Sequence, residues 1–305
     1  MRYTEERYIS LLTDFGFKRI FGTNPNKDLL IDFLNSLFDG EQVVKDVTFL
    51  NSEHVGDVRA DRKAIFDVYC ENEKGEKFIV EMQNASQKYF KDRSLYYATF
   101  PIREQVQKGE VWNYELKHVY VVALLNYDMT DSAFAQDTIN HDVGLLDKQT
   151  HRVFNDKLTF KYVEIAKFKK SIEELKTNYD KWIYVLQNLS RLDRQPRYLQ
   201  TEVFSRLFNQ AEIARFSKTE LREYEDSLKA YRDMKNSLDN AEEKGLAKGL
   251  AKGRAEGLVE GRAEGLAEGK KDKAVEIAKK LLEMDMPIDA IMKATGLSQE
   301  EITKL

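Results

Sequence analysis

Two strand-like runs, residues 64–69 and 77–83, joined by Asn72-Glu73-Lys74-Gly75-Glu76, constrain this chain more than any other feature. Glycine in a three-residue hairpin loop commonly takes the left-handed position, so Glu73-Lys74-Gly75 predicts a tight connection with Lys74 at its middle. Asp67 and Glu81 are equally distant from that middle and are expected to face each other. Side chains alternate along a strand, which sorts Ile65, Asp67 and Tyr69 with Ile79, Glu81 and Gln83 onto one face. Phe66, Val68 and Cys70 with Phe78, Val80 and Met82 then make the other face apolar. Opposed carboxylates repel each other unless a cation or a proton sits between them. A hard ion such as magnesium takes a few carboxylate oxygens and keeps its other positions for water and phosphate. The same alternation also describes the solvated face of an ordinary hairpin, and a bulge at Gly75 would shift the register and part the pair.

With 305 residues, 42% hydrophobic and 33% charged, the chain is long enough for one sizeable core and a second unit. No run approaches the roughly 18 to 20 apolar residues that span a bilayer. The start, Met1-Arg2-Tyr3-Thr4-Glu5-Glu6, lacks the basic and apolar blocks of a signal peptide, which predicts a cytoplasmic protein without membrane contact. Cys70 is the single cysteine, which excludes an intrachain disulfide and a cysteine-based zinc site. Its place among Phe66 and Val68 marks it as a small core residue rather than a nucleophile. A net charge of −4 argues against a protein that coats nucleic acid by charge alone. A local basic patch can still hold phosphate, and Lys88, Lys91 and Arg93 follow the hairpin closely.

The organisation is α/β at first and helical afterwards. Residues 1–195 read as one α/β domain: a helix over 26–38, strands over 43–50, 64–69 and 77–83, a helix over 89–107 and a buried strand over 116–125. Residues 128–150 read as an insertion or long loop, followed by a strand over 158–165 and a helix over 171–189. Residues 196–243 form a helical, coiled-coil-like segment, with Leu221, Tyr224, Leu228, Tyr231, Met234 and Leu238 spaced three or four apart. Residues 244–270 repeat glycine at every fourth position from Gly245 to Gly269, with alanine and charged residues between. Each glycine costs a helix about 0.8 to 1 kcal/mol relative to alanine, so the repeat is either a flexible linker or a helix stabilised by close packing. The absence of proline and the helix formers in the gaps favour a helical self-association element, and with it a homo-oligomer through the C-terminal helices. Residues 271–305 form a small helical tail, with Pro287 starting one helix, Gly296 ending it and a capping box at Ser298 and Glu301. Its turn at Thr295-Gly296-Leu297-Ser298 has the look of a helix-turn-helix, and both DNA and protein are open as its partner.

Several of these segments together resemble a known family. Thr13-Asp14-Phe15-Gly16-Phe17-Lys18-Arg19-Ile20-Phe21-Gly22, Asn26-Lys27-Asp28-Leu29-Leu30, Phe66-Asp67-Val68-Tyr69, Ile79-Val80-Glu81-Met82-Gln83 and Arg93-Ser94-Leu95-Tyr96-Tyr97 are similar to the Rpn family of recombination-promoting nucleases, also called PD-(D/E)XK nuclease family transposases. The resemblance implies a restriction-endonuclease-like core with a mixed central sheet and a magnesium-dependent site that hydrolyses DNA phosphodiesters. It implies Asp67 and Glu81 as metal-binding acids, Met82 as a backbone-carbonyl ligand and Gln83 in the place that lysine holds in the wider superfamily. Asp14 is a further acid, with a helix cap as its alternative role. Glutamine carries no charge and leaves general-base catalysis unassigned. Lys88, Lys91 and Lys18 are candidates for the missing charge, weighed against the solvated position usual for lysine, and Arg93 is the better phosphate contact. Two other readings keep the fold: a DNA-binding module with weak catalysis, and a self-associating scaffold.

Overall fold

Alternation and a tight loop make the central hairpin. In the computed structural model, which describes residues 6–54, 64–106, 113–129 and 134–305, strand β4 (Val68–Asn72) pairs antiparallel with β5 (Lys77–Gln83), Val68 opposite Val80 and Cys70 opposite Phe78. Gly75 takes φ +77° in the loop, and Asn72 N–H donates to the Glu76 carbonyl at 3.0 Å to close it. Four more strands complete a six-stranded sheet: β1 (Val47–Phe49), β6 (Val119–Leu125), β7 (Asn140–Leu146) and β8 (Val153–Val163), in the order β1-β4-β5-β6-β8-β7. β5, β6 and β8 run parallel and the two edge strands antiparallel to their neighbours, so the sheet is mixed.

Two further short strands, β2 (Glu53–His54) and β3 (Ala64–Ile65), form a separate ladder. The expected unbroken strand over 64–69 is therefore wrong. Phe49 pairs with Cys70 and Leu50 N–H bonds to the Tyr69 carbonyl, but Phe66 N–H bonds to the Ser52 carbonyl and Glu53 pairs with Ile65. The pairing slips by one residue between Ser52 and Val68, which is a β-bulge at Asp67. The bulge reverses Phe66: its ring packs with Tyr69, Tyr97 and Phe100, on the face opposite to Val68 and Cys70.

Helices cover both faces of the sheet. On one side α1 (Asp14–Phe21), α2 (Lys27–Phe38), α4 (Asn178–Asn188) and α5 (Glu202–Ala211) bury Phe17, Phe21, Phe33, Trp182 and Phe204 against Val68, Cys70, Val80 and Met82. On the other, α3 (Phe90–Arg103) buries Phe90, Ala98 and Phe100 against Ile79, Val121 and Phe160. The hairpin thus has no solvated face in its middle. Pro101 lies in the last turn of α3, where a lost N–H does least harm.

Two other expectations fail locally. Residues 128–150 contain β7, an exposed edge strand whose polar residues carry no apolar alternation to reveal it. The helix expected from 171 starts later, at Asn178, because Thr177 and Asp180 form a capping box there.

The chain divides into two compact units, Met1–Met234 and Lys235–Leu305. Helix α6 (Lys218–Glu283) contains the glycine repeat; its first turns belong to the first unit, where the buried Tyr224 hydroxyl accepts from Ser10 N–H at 3.0 Å. In the second unit α7 (Ile288–Thr295) and α8 (Gln299–Thr303) pack Ile291, Leu297 and Ile302 around Ala278. Gly296 ends α7 at φ +75°, and Ser298 with Glu301 caps α8 as the sequence predicts. Among the described residues no helix is long and apolar enough to cross a membrane.

Candidate active site

The site is built where β5 ends and the bulge interrupts its neighbour. Asn72 and Glu76 form a hydrogen-bonded pair, so by alternation Met82 turns its N–H and C=O toward β4; Gln83 turns its carbonyl toward β6, where it accepts from Asn126 N–H at 2.8 Å. In a continued ladder Phe66 would take the Met82 N–H. The bulge removes it, and the Asp67 carboxylate accepts that N–H instead, at 2.8 Å. Asp67 is thereby fixed beside the backbone of the strand that carries Glu81.

Glu81 is 6% exposed, and only one of its oxygens is satisfied. Gln83 Nε2 donates to Glu81 Oε2 at 2.9 Å, while Oε1 is buried with no hydrogen-bond partner. Burial and, after it, the charge of Asp67 push the Glu81 carboxyl up to about 8. Burial also raises Asp67, with Asp14 adding to the shift, while the Met82 N–H, Lys18 and Arg93 pull the other way. A second buried acid shows what full satisfaction looks like. Glu164, at the end of β8, is 0% exposed and bonds to Met129 N–H, Lys167 and His141 at 2.5, 2.7 and 2.8 Å.

Arg93 and Gln83 form a relay onto Glu81. Arg93 Nη2 donates to Gln83 Oε1 at 2.5 Å, Nη1 donates to Gln87 Oε1 at 2.5 Å, and Nε is buried without a partner. The Gln83 amide is therefore held at both ends and keeps one further N–H to offer. Tyr97, one helical turn after Arg93, lies within 5.6 Å of that guanidinium, and burial and the Glu81 charge raise its hydroxyl. The sequence reading missed Tyr97; its i,i+4 spacing from Arg93 was the available signal.

The opposite wall comes from α1. Thr13, not Asp14, caps this helix: its hydroxyl accepts from Gly16 N–H at 3.1 Å, so the cap role weighed for Asp14 is overturned. Asp14 instead pairs with Lys18 at 2.7 Å, and the Lys18 charge stabilises the ionised forms of both Asp67 and Glu81. Asn84 Nδ2 donates to the Leu12 carbonyl at 2.7 Å and ties the entry of α1 to the end of β5. Lys88 and Lys91 stand apart from the carboxylates, exposed on the stretch before and within the first turn of α3, with Lys88 over the Tyr89 ring at 5.2 Å.

Among the described residues no group of three or more His, Cys, Asp or Glu side chains is gathered as a metal cage. A cation between the strands would therefore draw on two carboxylates, the Met82 carbonyl and water. That donor set suits a hard divalent ion, and the unsatisfied Glu81 Oε1 is the atom that such an ion would satisfy. The residues present fit the group.

Comparison with known proteins agrees with this architecture. Residues 271–305 match the family model of the Rpn/YhgA-like nuclease family, C-terminal HTH domain. Searches of the curated proteins and of the solved structures find no match. Residues 11–241 match the family model described as PD-(D/E)XK nuclease family transposase, a match over most of the chain, and the protein belongs to that family.

Proposed function

We propose that the protein is a divalent-metal-dependent DNA endonuclease, linked to recombination or mobile elements, with its site at Asp67, Glu81 and Met82. The observation that carries this reading is a buried, half-satisfied Glu81 beside a second buried carboxylate, in a chain of a nuclease family. Magnesium, when bound, would supply Lewis-acid stabilisation of charge on the phosphodiester and would acidify water. Asp67 offers the carboxylate oxygen left free by its bond to Met82, and Glu81 offers Oε1. Gln83 fixes the other Glu81 oxygen, and Arg93 fixes Gln83, so Glu81 cannot rotate away. The remaining Gln83 N–H is available to orient water. Lys18 takes the part that glutamine cannot, a positive charge beside both carboxylates, and Asp14 positions Lys18. Arg93 with Lys88 and Lys91 forms the basic side along which a DNA backbone would run, and the C-terminal unit adds a second DNA contact through its HTH-family fold.

The test is nicking of supercoiled plasmid by the full chain with magnesium. Cleavage that disappears with chelator and in Asp67→Ala and Glu81→Ala supports the reading. DNA binding without cleavage would instead favour the catalytically weak module, for which Gln83 in the lysine position is the motivating observation.

A further inference from the structure

The repeat in α6 has a polarity that neither the nuclease chemistry nor the HTH fold uses. Its four columns are distinct. One holds glycine from Gly245 to Gly269, one alanine or valine, and one Leu246, Leu250, Arg254, Leu258, Arg262 and Leu266. The fourth changes sign midway: Lys244, Lys248 and Lys252 are followed at the same spacing by Glu256, Glu260, Glu264 and Glu268. The leucines are 62 to 70% exposed. A β-carbon added at any of the seven glycines would meet nothing within 4 Å. Within the helix Lys252 reaches Glu256 at 3.7 Å, and no other ion pair joins the members of this column.

We propose that this segment docks against the same segment of a second copy of the chain, antiparallel and centred on Glu256. The charge column selects the occupant and the direction. A parallel partner would set lysine beside lysine and glutamate beside glutamate. An antiparallel partner about Glu256 sets Lys252 opposite Glu260, Lys248 opposite Glu264 and Lys244 opposite Glu268. The same register sets each glycine from Gly245 to Gly265 opposite an alanine or valine and Leu246 opposite Leu266. This is the self-complementarity of a two-fold interface, in which residue i meets j and j meets i. A four-residue repeat forms ridges along the i±4n rows, and interdigitating such ridges crosses two helices at about −50°. The contact is therefore tightest near Glu256 and opens toward the ends, so Lys252 with Glu260 is its closest charge pair. The glycine groove lets the two backbones approach below the usual 8 to 10 Å helix separation.

The inference stands apart from the nuclease reading, and its test uses association rather than cleavage. Sedimentation equilibrium of the full chain should show a dimer that weakens as salt screens the column. Lys244→Glu with Lys248→Glu and Lys252→Glu should lower association at least tenfold, and adding Glu256→Lys, Glu260→Lys, Glu264→Lys and Glu268→Lys should restore it. Lysine and glutamate have nearly equal helix propensity, so circular dichroism should not change, and the restored variant guards against a folding defect. Direction is read by cysteine cross-linking: mixed Lys252→Cys and Glu260→Cys chains should form a disulfide with each other, and Lys252→Cys chains alone should not. A monomeric wild-type chain, association indifferent to the reversal, or self-linking of Lys252→Cys at equal yield would overturn the proposal.

Discussion

At the level of single residues, Glu81 carries the account. A buried acceptor without a partner costs on the order of 1–3 kcal/mol, and more when it is charged. Glu81 lowers that cost by holding a proton until about pH 8. Its folded-state value is raised above the unfolded one, so its contribution to stability is full below about pH 4 and is lost as pH climbs through about 8. Asp67 is shifted in the same direction. Without divalent ions the thermal midpoint should therefore fall between pH 5 and pH 9, by a few kcal/mol in free energy, roughly 1.4 kcal/mol per pKa unit. Glu81→Gln should flatten this fall, and a midpoint equally pH-dependent in that variant would contradict the assignment. In cleavage assays Asp67→Ala and Glu81→Ala should each lower the rate by about 10²-fold or more. Arg93→Ala and Gln83→Ala, which act through the position of Glu81, should lower it by about 10–100-fold, a graded pattern read from single-turnover rates. Asp67 and Glu81 were legible as a facing pair because the loop centre and the alternation fix them. The relay through Arg93 and the charge of Lys18 were not, because both reach the site from helices whose docking no local pattern encodes.

Among the elements, the bulge at Asp67 and the start of α1 decide whether the site assembles. The bulge was invisible in the sequence: alternation predicts an unbroken strand through Phe66, and only the second ladder at Glu53 and Ile65 draws that stretch aside. The apolar runs, by contrast, announced the hairpin and β6, whose seven residues from Val119 to Leu125 are all buried. β7 escaped notice for the converse reason, since an exposed edge strand needs no apolar code. At α1, Gly16 sits so close to the preceding turn that a β-carbon would lie 2.1 Å from the Ser10 carbonyl oxygen and 2.8 Å from Thr13 Oγ1. Gly16→Ala should destabilise the chain by about 1–3 kcal/mol through forced backbone displacement, seen as a lower denaturant midpoint. The same displacement moves Asp14 and Lys18, so cleavage should fall further than stability alone explains. Unchanged stability would show that the junction yields more easily than its contacts imply.

Across the whole molecule, the chain separates chemistry from the glycine-repeat segment, and the two units respond differently to the solvent. The glycines from Gly245 to Gly269 weaken the helix by about 0.8 to 1 kcal/mol each, and every side chain there is exposed. Limited proteolysis of the dilute chain should therefore cut first within residues 244–270 and leave a resistant N-terminal fragment, identified by mass. First cuts inside the sheet domain would contradict this division. The claim on which the account rests is that Asp67 and Glu81 share a divalent ion. Calorimetric titration of the full chain with magnesium or manganese tests it most directly. The account predicts saturable binding that strengthens as pH rises through about 8, because the ion displaces the Glu81 proton, and that disappears in both Asp67→Asn and Glu81→Gln. Binding of wild-type strength in either amide variant would contradict it.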